Sequence, residues 1–385
     1  MTTSAAYEQI KAALDAIQAR IESGELQEAE SNALTAKADR LIEEIVWFAA
    51  PHTLAPTMHE AYGPGQLVAD IDRPLLNLAR LSDAHDKHDH GWGEELDKRL
   101  GGLSPGYILA VGASGAGFGK TAFVMQLADG LALQSVTDTS GPVTPVLILS
   151  EMPAYALTWR TLARWIGVDQ GLLRGRPSGT DNDHADRQDA KSKVTAALAE
   201  GPFLEARKMI RVLGERAGSG PTAIERAEKV MAGWVAELRN EYPNRKIWPV
   251  LVIDPIQRFQ DHGKGEVESL NELVEALGAV ITRNQWCAFL TSDTNKPSRT
   301  GDYKEKRTDQ QEGAAAFRGS YKLQHLADAV LYLRRPDESQ PDIEAVLVKN
   351  RWGETGKDGD WPEFTFDGPK MRFKPKPQRR EAPRR

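Results

Sequence analysis

A glycine-rich segment that ends in Lys-Thr constrains the fold of this chain more than any other feature of its sequence. Residues 114–121 read Ser-Gly-Ala-Gly-Phe-Gly-Lys-Thr, after the apolar run 107–111 and before the mostly apolar residues 122–126. A buried strand, a glycine turn and a helix in this order predict a phosphate-binding loop, because glycines let successive backbone N–H groups approach phosphate oxygens. The helix also directs its positive N-terminal end at those oxygens. An ordinary glycine-rich turn is the alternative, and the flanking strand and helix patterns argue against it.

The last two residues of this loop have expected contacts of their own. Lys120 should reach the β- and γ-phosphates of a nucleotide, and the Thr121 hydroxyl should coordinate Mg²⁺. Ser114 stands where the usual pattern has glycine, but Gly112 and Gly115 keep the backbone permissive around it. The residues of this segment that we expect to contact the nucleotide are Ser114, Gly115, Ala116, Gly117, Phe118, Gly119, Lys120, Thr121 and Ala122.

The composition is typical of a soluble globular protein and limits its partners. Of the 385 residues, 40% are hydrophobic and 27% are charged. No apolar run approaches the length of a membrane span, and residues 1–6 lack the features of a signal peptide, so we expect no membrane partner and a cytoplasmic location. The single cysteine, Cys287, excludes a disulfide framework and a cysteine zinc site. Because the net charge is −6, local basic segments would have to meet any nucleic acid.

Four regions are predicted along the chain. Residues 1–50 should form a helical hairpin with one apolar stripe per helix, packed either on its own chain or on a neighbouring subunit. Residues 51–92 are a proline-containing linker, in which a metal site stays open as an alternative to a solvated segment. Residues 93–369 form the domain that carries the glycine loop, and residues 370–385, rich in basic residues and proline, form a disordered tail. The linker histidines concerned are His85, His88 and His90.

Strands and helices alternate after residue 93, which predicts an α/β fold with a wound, mostly parallel sheet. The predicted strands are 107–111, 146–150, 210–214, 250–254, 287–291, 329–333 and 345–349. The predicted helices are 119–134, 153–166, 222–240, with Thr222 as its N-cap, and 266–283. Residues 170–206 are polar and receive no assignment.

Two of these strands end in a carboxylate. Asp254 ends an apolar strand, so it should lie at the carboxyl edge of the sheet, where it could hold Mg²⁺, through water. Glu151 follows the strand 146–150, and on a strand beside the phosphate loop it could accept a proton from the water that attacks the γ-phosphate. The alternative is that Glu151 only favours the N-terminus of the next helix.

The order of these motifs resembles the DnaB family of replicative hexameric helicases, including the helicase halves of bacteriophage primase-helicases and of the mitochondrial Twinkle type. The resemblance runs along most of residues 92–368. Its segments are the lead-in 96–106, the loop 114–121, Ser-Glu-Met-Pro-Ala at 150–154, Ile-Asp-Pro-Ile-Gln at 253–257, the Arg-Gly-Ser…Gln…Asp segment 317–328, and Val-Lys-Asn-Arg-Trp-Gly at 348–353.

The resemblance implies a RecA-like P-loop ATPase core that binds ATP and Mg²⁺ between the subunits of a hexameric ring on single-stranded DNA. It makes Glu151 the catalytic base and places Gln257 at the nucleotide. By the same match, Arg351 is an arginine finger that enters the ATP site of the adjacent subunit, and Lys349 is its companion. A guanidinium at the γ-phosphate stabilises charge that develops in the transition state. Without the other motifs, a surface strand with alternating charge would be the favoured interpretation.

One position departs from the family pattern. The strand that runs into residues 289–295 should carry the γ-phosphate sensor, commonly Gln or His, yet this chain has Asp293 there, with Ser292 or Asn295 as helpers. A carboxylate cannot donate a hydrogen bond unless it is protonated. The sensor candidates are Asp293, Arg318 and Gln324.

Two loops, residues 258–265 and 296–307, are expected to face single-stranded DNA in the central channel of the hexameric ring. Their basic residues suit a phosphate backbone, and Tyr303 is available to stack on a base, although solvated loops often have the same composition. The candidate DNA-binding residues are Lys264, Lys296, Arg299, Lys304, Lys306 and Arg307.

The favoured function is an ATP-dependent DNA helicase that works in replication, at a nucleoid or a phage replication site, with any primase or helicase loader on a separate chain. A RecA- or KaiC-like ATPase that binds DNA without unwinding it is the alternative. Closed rings would favour the helicase, and open filaments would favour this alternative. A loader or scaffold without ATP turnover is a third interpretation, which the presence of Lys120, Glu151 and Arg351 argues against.

Overall fold

The computed structural model describes residues 12–13, 15–17, 19–20, 30, 34 and 37 near the N-terminus. Farther along it describes residues 96–97, 99–113, 117–176, 183–199, 201–261, 263, 265–293, 321–337, 339–355 and 361–376. The chain divides into two units, Met1–Arg73 and Pro74–Arg385. All described residues of the first unit are helical. The rest of the predicted hairpin, the linker 51–92 and its histidines His85, His88 and His90 lie outside the described residues.

One nine-stranded sheet organises the described part of the second unit, in the order β3-β2-β4-β5-β1-β6-β7-β8-β9. The first six strands in this order are parallel, and β7, β8 and β9 are antiparallel additions beyond β6. The predicted α/β class with a mostly parallel sheet is therefore confirmed. The strands are β1 (Ile108–Ala113), β2 (Val146–Ser150), β3 (Ile210–Val212), β4 (Val250–Asp254), β5 (Cys287–Thr291), β6 (Ala329–Arg334), β7 (Asp342–Asn350), β8 (Glu363–Asp367) and β9 (Arg372–Pro375).

The helices pack around this sheet and make its central strands inaccessible. Every residue of β1, β2, β4 and β5 is buried, as expected for apolar strands covered on both faces. Two short 3₁₀ turns, Gly214–Ala217 and Ile256–Phe259, follow β3 and β4. The described helices of this unit are α1 (Lys120–Thr137), α2 (Ala154–Ile166), α3 (Gln170–Leu173), α4 (Asp183–Ala199), α5 (Gly201–Lys208), α6 (Pro221–Glu241), α7 (Glu266–Asn284) and α8 (Tyr321–Leu326).

Helix α1, which begins at the glycine loop, is buried on nearly all sides. Phe123, Leu127 and Leu131 are fully buried, and so are residues on its other faces such as Val124 and Ala128. A helix that is apolar all round belongs in the core rather than on the surface. The described end of the loop, residues 117–119, therefore leads directly into a helix that is buried in the core.

The prediction of a disordered tail from Lys370 onwards is wrong for residues 370–376. These residues form a turn and then β9, which pairs with β8 from Phe364 to Asp367. Phe373 is fully buried, and its ring packs edge-on against Phe123 of α1 at 5.3 Å between centroids. The high content of basic residues hid an alternation of apolar residues with the period of a strand.

Smaller corrections concern the other predicted boundaries. The N-cap of α6 is Gly220, with Pro221 in the first turn, so Thr222 is not the cap. Strand β3 is shorter than predicted and ends at Val212. The unassigned segment 170–206 contains α3, α4 and most of α5, and a buried cluster of Leu162, Ala197 and Phe203 attaches it to α2. None of the described helices has both the length and the apolar composition that a membrane span requires.

Candidate nucleotide-binding site

The described part of the glycine loop has a backbone that only glycine adopts easily. Gly117 and Gly119 have φ angles of 83° and 84°, and Gly119 is the N-cap residue of α1. A Cβ on Gly119 would lie 2.8 Å from Cζ of Phe373 and 3.1 Å from the ring of Phe366, whereas one on Gly117 would meet nothing within 4 Å. Position 119 therefore needs glycine for space as well as for backbone angle. The predicted contacts Ser114, Gly115 and Ala116 lie outside the described residues.

Thr121 and Asp254 meet at the carboxyl edge of the sheet, as the two motifs predicted. The Thr121 hydroxyl donates a hydrogen bond to Oδ1 of Asp254 at 3.0 Å, and the Thr291 hydroxyl donates to the same atom at 2.6 Å. Burial raises the pKa of Asp254, and the two threonine hydrogen bonds oppose that rise. A hydroxyl beside a carboxylate is an oxygen donor set that suits Mg²⁺.

A second group of contacts surrounds Lys120. Its ammonium lies 2.9 Å from Oδ1 of Asp293, two residues beyond the end of β5. The backbone N–H of Asp293 donates to Oε1 of Gln257 at 3.0 Å, and Nε2 of Gln257 donates to Oγ of Ser292 at 2.8 Å. The predicted residues Lys120, Gln257 and Asp293 are thus brought together. Arg318 lies outside the described residues, and Gln324 lies on α8, away from this group.

Glu151 lies at the same edge of the sheet but not on the strand beside the glycine loop. Its strand, β2, is separated from β1 by β4 and β5, so the expected adjacency is wrong. Chain order did not reveal this because β4 and β5, which come later in the chain, insert between the two strands. The backbone N–H of Glu151 donates to the carbonyl of Asp254 at 3.2 Å, and its charge contributes to the raised pKa of Asp254. Glu151 is exposed, and it lies directly after β2 and three residues before the start of α2.

Sequence reasoning missed three residues that line a cavity of about 220 Å³ at the glycine loop. Residues 117–122 form one side of this cavity, and Arg160, Phe366 and Met371 form another. Burial lowers the pKa of Arg160, while the charges of Asp254 and Glu151 oppose that shift. Phe366 stacks on Phe373, with 4.5 Å between centroids. Arg160 lies nine residues after Glu151 on the next helix, and the alternation in β8 was the only signal for Phe366.

A second arginine reaches the loop from the carboxyl end of β6. The guanidinium carbon of Arg335 lies 5.2 Å from the centre of the Phe118 ring, within the range of a cation–π contact. Its Nε is buried and has no hydrogen-bond partner among the described residues. The loop is therefore approached by cationic side chains from two different elements of its own chain, Arg160 and Arg335.

Arg351 lies at the opposite edge of the sheet from the glycine loop of its own chain. It follows the end of β7, where Asn350 pairs with Ala329 at the start of β6, the strand to which β7 is antiparallel. Its guanidinium donates to Oδ1 of Asp328 at 2.8 Å and to the carbonyl of His325 at 3.1 Å. The other oxygen of Asp328 accepts a hydrogen bond from the backbone N–H of Ile108, the first residue of β1. The six residues of β1 thus separate this position from the loop by roughly 17 Å.

Lys349 contacts backbone rather than open solvent. Its ammonium donates to the carbonyls of Gln324, His325 and Ala327 at 2.6–2.9 Å, at the C-terminal end of α8. Burial and the nearby charge of Arg351 lower the pKa of Lys349. A cation at this end of a helix satisfies carbonyls that lack helical partners. A cavity of about 700 Å³ between α7 and α8 is bordered by Tyr321, by Leu326 and by Arg351.

The DNA-binding candidates Lys264, Lys296, Arg299, Lys304, Lys306 and Arg307 all lie outside the described residues.

The strand order, the glycine loop and the carboxylates at one sheet edge define a RecA-like P-loop ATPase. Residues 92–375 match the family model described as DnaB-like helicase C terminal domain. The chain therefore belongs to this family of ATP-hydrolysing replicative DNA helicases. No curated protein matches the chain closely enough to count as a relative.

Two solved structures have a similar fold. The first is a DnaB-like replicative helicase studied for its interactions with primase, at a TM-score of 0.59 and 16% identity, over 94% of this chain and 75% of that one. The second is a structure described as an ATPase domain, at a TM-score of 0.52 and 17% identity, over 73% of this chain and 89% of that one. At these identities the likeness establishes the RecA-like fold.

Proposed function

We propose that this chain is the subunit of a hexameric helicase that binds ATP between adjacent protomers and translocates on single-stranded DNA. The observation that carries the proposal is the position of Arg351. It lies at the sheet edge opposite its own glycine loop, with the Arg351 side chain 46% exposed. A finger in this place serves the loop of another copy rather than that of its own chain. A ring lets every subunit give one finger and receive one.

Under this proposal, each residue of the site has one role. Lys120 binds the terminal phosphates, and Thr121 and Asp254 would hold Mg²⁺, which neutralises charge on the phosphate oxygens. Glu151 accepts a proton from the attacking water. Arg351 of the neighbouring copy stabilises negative charge as the γ-phosphate leaves. Lys349 is bound to the end of α8, so we assign it the positioning of Arg351 rather than contact with phosphate.

The regions beyond the ATPase core have proposed roles that rest on sequence. Residues 1–50 would serve assembly or partner docking, residues 51–92 would link them to the ATPase domain, and a primase or loader would come as another chain. The basic residues named above would contact single-stranded DNA.

The role of Glu151 is tested by Glu151→Gln. If Glu151 is the general base, this substitution should lower ATP turnover by about 100-fold or more while ATP binding is retained. Turnover is measured with and without single-stranded DNA, and binding with a non-hydrolysable analogue. Glu268→Gln is the matched control, because Glu268 lies in the first turn of α7. There its charge favours the helix N-terminus as that of Glu151 would, but it has no proposed role at the nucleotide. Equal turnover in both variants would reduce Glu151 to a residue that only favours its helix.

A further inference from the structure

The position where the family pattern has a neutral hydrogen-bond donor carries a negative charge in this chain, and that charge contacts the lysine of the glycine loop. Oδ1 of Asp293 lies 2.9 Å from Nζ of Lys120. The Lys120 side chain is 17% exposed and that of Asp293 is 65% exposed. The ammonium is therefore held inside the site while the carboxylate reaches it from the solvent side.

The backbone on which Asp293 sits is fixed. Its N–H donates to Gln257, and Gln257 donates in turn to Ser292, which is fully buried. Gln257 belongs to the 3₁₀ turn directly after β4, the strand that ends at Asp254. Because β5 and this turn anchor the main chain, the side chain of Asp293 is the part that can move away from Lys120.

A triphosphate and this carboxylate compete for one ammonium. In a loop of this type, the lysine is the side chain that binds the terminal phosphates. Its ammonium group has three N–H donors but only one positive charge. If Asp293 stays in contact, a carboxylate remains beside the γ-phosphate and repels it. If Asp293 leaves, an ion pair is lost. In both cases the negative charge at position 293 opposes binding of the terminal phosphates.

We propose that Asp293 is an internal counter-ion of Lys120 that the terminal phosphates displace, so that this carboxylate regulates triphosphate binding in this chain. The inference rests on the proposed function, since it assumes that the loop binds a triphosphate. Nucleotide occupancy is then reported at the end of β5 by release of an ion pair, and not by a hydrogen bond from an amide or imidazole.

The test compares ligands that differ in their phosphates. Asp293→Asn keeps the shape of the side chain and removes its charge, and should bind a non-hydrolysable ATP analogue and pyrophosphate roughly three- to tenfold more tightly than the wild type at low salt. AMP, which has no terminal phosphates, should bind equally to both. The gain should shrink at high salt because the contact is partly exposed. Asp189→Asn is the matched control, since Asp189 forms an exposed ion pair with Lys193 on α4 and should change nothing.

A second comparison asks whether Asp293 acts through Lys120. The gain from Asp293→Asn should be smaller in a Lys120→Ala background, as expected for interacting residues. An equal gain in both backgrounds would contradict the ion-pair mechanism.

Other outcomes would overturn the inference directly. If Asp293→Asn binds the analogue no better than the wild type, the carboxylate is not a competitor. If Asp293→Asn binds the analogue more weakly than the wild type, and this weakening occurs only when Mg²⁺ is present, Asp293 is a metal ligand instead. If neither protein binds the analogue, the proposed function fails and the inference fails with it.

Discussion

At the scale of single residues, short and contiguous motifs in the sequence predicted several side chains that the structure brings together at the glycine loop. Thr121 and Asp254 are 133 residues apart and still meet at 3.0 Å. Arg160 and Phe366 were missed, because each reaches the loop from an element whose own sequence has no nucleotide motif. The contact between Asp293 and Lys120 was also missed, because it depends on β5 lying beside β1 in the sheet.

Gly119 offers the sharpest test at this scale, with Gly117 as its matched control. Gly119→Ala should destabilise the fold by ~1–3 kcal/mol more than Gly117→Ala, because the two positions share a left-handed backbone but only position 119 lies against Phe366 and Phe373. Urea unfolding of both variants without nucleotide measures the difference. Equal free energies of unfolding would show that the phenylalanine rings do not press on the loop.

At the scale of elements, apolar runs predicted the central strands, and β2, β4 and β5 have the predicted boundaries. Strands β8 and β9 were missed because they are short, lie at the end of the sheet and contain many charged residues. Hydrogen bonds from helices far away in the sequence hold these two strands in place. Gln126 of α1 makes two hydrogen bonds to the backbone of Phe373, and Arg164 of α2 donates to the carbonyl of Met371 at 3.1 Å.

This attachment predicts a large effect from one buried side chain. Gln126→Leu leaves the N–H and carbonyl of Phe373 unpaired in the core, so we expect a loss of about 2–4 kcal/mol in the free energy of unfolding. ATP binding should weaken as well, because the β8–β9 hairpin forms one wall of the cavity at the loop. Gln340→Leu, at an exposed position, is the control. Stability and affinity like those of this control would mean that the hairpin does not depend on α1.

At the scale of the whole molecule, the sheet separates the two halves of the proposed ATP site. The loop, Asp254 and Glu151 lie at the carboxyl edge, and Arg351 lies at the other edge. Sequence motifs alone did not reveal this separation, because it depends on the direction of β7, which is antiparallel to β6. One protomer therefore has both halves but cannot join them.

Complementation between two inactive variants tests this claim most directly. Lys120→Ala removes the loop's lysine and keeps the finger, whereas Arg351→Ala keeps the loop and removes the finger, and each should have little ATPase activity alone. If the finger acts between protomers, random co-assembly of equal amounts restores an intact loop beside an intact finger at about one quarter of the sites, and ATP turnover rises accordingly. If both residues serve the same chain, no intact site can form, and a mixture as inactive as its components would contradict the account.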